Sequence, residues 1–150
     1  MITAASTRRP AHLSIANIAL VAAGGAVGSG LRYGSMLVMP PAHGIPIAIF
    51  TVNVVGAFIL AVLLEVLSEL GADHGLSRRL RLGIGTGVLG GFTTYSTLAA
   101  DNVHLALTQP MVAVIYGVGT VIAGGIAAIV GIAATRRAVR PALARRVADS

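Results

Sequence analysis

Residues 83–101 read GIGTGVLGGFTTYSTLAAD. This stretch lies inside an apolar run, 82–107, long enough to cross a bilayer, since about 20 residues rising about 1.5 Å each cover roughly 30 Å of hydrocarbon. Its centre does not suit a helix. Gly90 and Gly91 are soon followed by Thr93, Thr94, Tyr95, Ser96 and Thr97, five hydroxyl-bearing side chains in a row. Glycine and β-branched threonine are both poor helix formers. Backbone left unpaired in hydrocarbon costs several kcal/mol per group, so a break at that depth persists only where protein covers it or where it lines a polar path. Such a break frees carbonyls for a cation and presents hydroxyls to an anion. The plainer alternative is that each Ser or Thr bonds back to its own helix. Five consecutive hydroxyls after a glycine pair favour a functional site.

Three comparable apolar runs surround this one, at 13–38, 45–67 and 111–134. The expected fold is an all-α integral membrane protein of four transmembrane helices with a break in the third. It forms one domain over 1–134, followed by a basic tail at 135–150 that lies on the membrane surface or is partly disordered. Pro40, Pro41, Gly44 and Pro46 mark a tight first loop, 71–81 a second, and Gln109-Pro110 a third. The first run is too long for a cleaved signal peptide, and no clear small-residue cleavage site follows it. Composition agrees: only 11% of the 150 residues are charged, against about 25% in a soluble domain. With no cysteine, disulfide scaffolds and thiolate zinc sites are excluded. There is no lysine for a phosphate loop, no carboxylate pair and no Ser-His-acid set, so the chain does not read as an enzyme.

The positive charge is carried by arginine alone. Arg8, Arg9, Arg78, Arg79, Arg81, Arg136, Arg137, Arg140, Arg145 and Arg146 all flank one membrane face of a four-helix layout. Positive residues are retained on the cytoplasmic side, which predicts cytoplasmic N- and C-termini. Their places at segment ends, not along one face, argue against a nucleic-acid partner despite a net charge of +6. Membrane lipid is the expected neighbour of the tail.

Glycines four apart (Gly24 and Gly28, Gly30 and Gly34, then Gly83, Gly87 and Gly91) suit the close backbone approach that holds helices together in lipid, as do Gly117, Gly124, Gly125 and Gly131 in the fourth run. Asn53, near the middle of the second run, needs hydrogen-bond partners, by default a Ser or Thr on a neighbouring helix. Arg32 is costlier to place, since an intramembrane charge faces water, a partner or an ion path unless it snorkels. Asp101 is its candidate acidic partner, while Glu65 and Glu69 lie at the opposite end. His12, His43, His74 and His104 show no metal-ligand spacing.

Over about 15–134 the chain resembles the Fluc/CrcB family of small fluoride channels, through GGAVGSGLRYG in the first run, TVNVVGAF in the second and GVLGGFTTYSTLAAD in the third. The last of these is highly specific. The resemblance implies an antiparallel, dual-topology dimer of four-helix subunits in the bacterial inner membrane. It also implies two fluoride pathways and a structural sodium ion held by backbone carbonyls, which fall on Gly90 and Thr93. The family's pore asparagine matches Asn53, its first-helix arginine Arg32, and its polar track Thr94, Ser96 and Thr97. Two phenylalanines usual in the break are here Tyr95 and Leu98. Tyrosine keeps a ring edge and adds a hydroxyl; leucine removes an aromatic edge. That departure, with the one-sided arginines, raises the alternative of a half-active or non-conducting subunit paired with a non-identical paralogue. A small multidrug exporter also has four helices, but it depends on an embedded acid in the first helix, and 13–38 holds none.

Overall fold

The computed structural model describes residues 14–69 and 75–148, with 140–148 described by backbone alone. Arg8, Arg9, His12 and His74 fall outside the described residues. Every element named among the described residues is helical. Three helices are long and apolar enough to cross a membrane: Ile15–Val38, Ile47–Glu69 and the Pro110–Val139 part of the last helix. The expected third span is divided. A short helix, Leu76–Leu80, runs into a π-helical segment, Arg81–Leu89, and then a last α-turn, Gly90–Phe92. After two extended residues, Thr93 and Thr94, a new helix covers Tyr95–Thr108.

The π-helical segment was not foreseen from the sequence. Three of its nine residues, Gly83, Gly85 and Gly87, are buried glycines. Each gives up about 1 kcal/mol of α-helix propensity relative to alanine, and the wider π-turn, common beside functional sites, is correspondingly less opposed. Its gain is close packing on the first helix. A Cβ at Gly24 would collide with the Gly83 carbonyl, one at Gly28 with the Val88 carbonyl, and one at Gly91 with the Gly25 carbonyl. The two glycine stripes therefore face each other, backbone against backbone. Gly30 and Gly34 do not join them: nothing lies within 4 Å of where their Cβ atoms would be.

The second helix packs along the last one. There Gly131 lies against the Phe58 carbonyl and the side chains of Ala61 and Val62. Near the other end, Ile49, Val52, Leu98, Leu105, Ala113 and Tyr116 form the buried apolar cluster. The first loop is as tight as its prolines suggest. Ala42 and Ile45 pair across His43 and Gly44, which take φ of 51° and 81°. Positive φ at both central positions is the mark of a type I′ turn. The Tyr116 hydroxyl ties this loop down by donating to the Pro46 carbonyl at 3.2 Å.

At the opposite end, Arg136 Nε donates to Glu65 Oε1 at 2.7 Å. This pair puts residue 136 beside the end of the second helix, a short connection away from Arg78, Arg79 and Arg81. The basic residues from Arg136 onward carry on the last helix. The last helix continues without interruption to Ala148.

Candidate functional site at the helix break

The break is held open by one side chain. Asn53 Nδ2 donates to the Thr94 carbonyl at 3.0 Å, and its Oδ1 accepts from the Thr94 amide at 2.8 Å. One asparagine thus satisfies both polar groups of a residue whose φ and ψ, −154° and 126°, are extended. It does for Thr94 what a neighbouring strand would do, within a long apolar stretch of sequence. The partner expected for Asn53 was a side-chain hydroxyl. Backbone is the stronger choice, because two otherwise unpaired groups are matched at once.

Diverting the Thr94 amide has a consequence upstream. In an unbroken α-helix that amide would bond the carbonyl of Gly90; here it goes to Asn53, and the Gly90 carbonyl loses its helical partner. Two first-helix side chains reach the same region. Ser29 Oγ donates to the Gly91 carbonyl at 3.5 Å, and Arg32 Nη1 to the Thr93 carbonyl at 3.4 Å. Arg32 therefore serves the break. No ion pair with Asp101 forms among the described residues, and Asp101 Oδ2 is buried without a hydrogen-bond partner.

The hydroxyls divide into three groups. Thr93 follows the plainer reading, its Oγ1 bonding back to the Leu89 carbonyl at 2.9 Å. Its methyl fits a notch at Gly56, where a Cβ would clash with Thr93 Cγ2. Thr94, Ser96 and Thr97 form a cluster. Thr94 Oγ1 accepts from the Thr97 amide at 3.1 Å, donates to Thr97 Oγ1 at 3.1 Å, and lies 3.2 Å from Ser96 Oγ. Thr94 is thus also the N-cap of the Tyr95–Thr108 helix. Replacing it by alanine is expected to cost about 1 kcal/mol in thermal unfolding in detergent, and by serine only tenths. Tyr95 stands apart, 80% exposed, whereas Leu98 is 6% exposed within the apolar cluster.

Reading along the chain did not single out three further polar residues. Tyr116 and Thr120 are buried on the last helix, Thr120 Oγ1 donating to the Tyr116 carbonyl at 2.6 Å. Their spacing of four in an otherwise apolar helix was the available signal. Asn102 presses its amide into a notch at Gly117, and its Oδ1 is buried without a partner.

The model of a protein family described as CrcB-like protein, Camphor Resistance (CrcB), matches residues 19–132. The chain belongs to the CrcB family. Its matched region contains Arg32, Asn53 and the whole break. Among relatives, the fluoride-specific ion channel FluC 2 of Leifsonia xyli subsp. xyli is 41% identical over 125 residues, covering 83% of this chain and 86% of that protein. The fluoride-specific ion channel FluC 1 of Cutibacterium acnes is 42% identical over 121 residues, covering 79% and 85%. The fluoride-specific ion channel FluC of Caulobacter vibrioides is 48% identical over 87 residues, covering 55% and 65%. With three apolar helices of spanning length, this member of the CrcB family is a multi-pass membrane protein and not an enzyme.

Proposed function

We propose that this CrcB-family chain is a subunit of a fluoride channel that lets the ion leave the cytoplasm passively, relieving its toxicity. The observation that carries this reading is the Asn53–Thr94 clamp, which holds the chain out of the helix and gathers the hydroxyls of Thr94, Ser96 and Thr97 inside an apolar bundle. The relatives named as fluoride-specific channels supply the ion. Fluoride is small and strongly hydrated, so a path for it must replace water with hydrogen-bond donors. Asn53 has two N–H groups, of which one bonds the Thr94 carbonyl. The second is assigned to the passing anion. The hydroxyls of Thr94, Ser96 and Thr97 rotate to hand the ion along, and the ring edge of Tyr95 offers a further electropositive contact. Arg32 supplies positive potential at the break.

Both divided halves together make the fourth crossing, with the arginine-rich end cytoplasmic and a second, antiparallel subunit completing the assembly. A structural sodium ion fits the donor set, because hard cations favour carbonyl oxygens. The Gly90 carbonyl is released by the clamp, and nothing lies within 4 Å of where its Cβ would be. The Thr93 carbonyl fits less freely: Arg32 already donates to it, so a cation there requires that guanidinium to swing aside. When bound, the ion would neutralise the carbonyls' partial charges and fasten the two subunits. Replacing sodium by N-methyl-D-glucamine is therefore expected to lower the thermal midpoint of the purified assembly. An unchanged midpoint counts against the cation.

The departures at Tyr95 and Leu98 keep a second reading in view, a half-active or non-conducting subunit paired with a non-identical paralogue. Its support is the placement of Leu98 in the apolar cluster, with no ring to offer an anion. Fluoride efflux from liposomes holding this chain alone tests both readings. Selective efflux of fluoride over chloride supports a self-sufficient channel; efflux appearing only with a second CrcB-family chain supports the paired subunit; none in either case defeats fluoride conduction.

A further inference from the structure

Thr94 is clamped by Asn53, and the residue before it is held as closely by other contacts. Thr93 Oγ1 donates to the Leu89 carbonyl at 2.9 Å, the oxygen that also accepts from the Thr93 amide at 3.0 Å. The Cγ2 methyl of Thr93 fills the notch at Gly56, a buried glycine of the second helix. A threonine side chain has one heavy-atom torsion, and branching at Cβ makes it stiff. Hydroxyl and methyl are therefore set together: turning one out of its contact turns out the other. Beyond Thr93 the backbone leaves the helix, with φ of −75° and ψ of 156°. The peptide group that follows is gripped from two sides. Its carbonyl accepts from Arg32 Nη1 on the first helix at 3.4 Å, and its amide donates to Asn53 Oδ1 on the second at 2.8 Å. Asn53 and Gly56 are three residues apart, so one face of the second helix holds both residues of the break.

We propose that Thr93 is a positioning residue for the ion path. Its side chain, seated in the Gly56 notch, sets the angle of the Thr93–Thr94 peptide, and through it the place of the Asn53 amide and the Thr94 hydroxyl. The inference rests on reading the break as a fluoride path. The Thr93 side chain acts through these neighbours and not on the anion, since its hydroxyl hydrogen goes to Leu89 and its methyl to Gly56. The role also accounts for glycine at position 56, inside a helix where only proline is a poorer helix former. A Cβ there would displace the Thr93 methyl, and the stiff side chain could yield only by giving up its bond to Leu89. The next atoms, Phe92 Cδ1 at 3.4 Å and Thr93 Cβ at 3.8 Å, stand in ordinary contact, so the methyl is the obstacle.

A size swap tests this, with Gly56→Ala, Thr93→Ser and the two combined, each in the full-length chain. Serine keeps the hydroxyl and lacks the methyl, so it makes room for the alanine. Two quantities are read: fluoride efflux per folded protein, in whichever subunit composition conducts, and deuterium exchange at the Thr94 amide. Gly56→Ala should lower efflux at least about tenfold, as expected where a site is displaced by about an ångström. It should also speed exchange at least about tenfold, because the local bond opens more readily. The combined variant should return both to within about threefold of Thr93→Ser alone, a small remainder being usual between residues in contact. Should Gly56→Ala not fold, Thr93→Val, which keeps the methyl and gives up the hydroxyl, should still speed exchange about threefold. A Gly56→Ala protein that unfolds at lower temperature but conducts and exchanges like wild type overturns the proposal, because position 56 would then matter for packing alone. So does a swap that leaves efflux low, or a Thr93→Val protein that exchanges like wild type. A wild type that passes no fluoride, with exchange responding as expected, overturns the fluoride reading and upholds the hold of Thr93 on the break.

Discussion

Replacing Asn53 by alanine is expected to reduce fluoride efflux to background and to destabilise the protein by about 2–6 kcal/mol. The figure follows from leaving the Thr94 amide and carbonyl both unpartnered, at about 1–3 kcal/mol each. Aspartate separates the two roles. Asn53→Asp keeps an oxygen to accept from the Thr94 amide but opposes a carboxylate to the Thr94 carbonyl and to any anion. Efflux should vanish while more of the fold survives than in the alanine variant. Proteoliposome efflux and thermal unfolding in detergent, run on the same preparations, read both quantities. An Asn53→Asp protein that conducts fluoride normally would remove this residue from the pathway.

The second large effect concerns the facing glycine stripes. Gly28→Val and Gly91→Val each push a side chain into main-chain atoms of the opposite helix, the Val88 and Gly25 carbonyls. Neither carbonyl can rotate away as a side chain could. Overpacking in a core typically costs about 1–3 kcal/mol, occasionally more, and these two positions should reach or exceed the upper end. Gly30→Ala is the control, since nothing lies within 4 Å of the added atom. It should be neutral or stabilising by up to about 1 kcal/mol, the helix-propensity difference. Equal unfolding midpoints for Gly28→Val and Gly30→Ala would contradict the packing described for the first helix.

Much of this arrangement could be read along the chain, for identifiable reasons. Hydropathy alone located the helices Ile15–Val38 and Ile47–Glu69 to within two residues at each end, because bilayer thickness dictates their length. The glycine pair with its hydroxyl run marked the interruption between 90 and 97, and the extended residues are Thr93 and Thr94. What could not be read was pairing across distance. Nothing local says that Asn53 bonds the backbone of a residue 41 positions away. The same holds for Arg32, which had Asp101 as a candidate partner but reaches the Thr93 carbonyl, 61 positions away. The π-helical turns were also illegible, because three glycines in five residues leave too few side chains to show a period. That the last helix runs on into the basic residues was hidden for another reason. Arginine is a good helix former, and a helix already started propagates at little cost, so charge ended the apolar run without ending the helix.

The last helix has 39 residues, or about 58 Å at 1.5 Å per residue, roughly twice the thickness of the hydrocarbon. It therefore continues for nine residues beyond its apolar spanning portion, which ends at Val139. A fluorophore or a fused reporter domain attached to its last turn would report which side of the membrane each copy faces, at a distance from the break too great to disturb it.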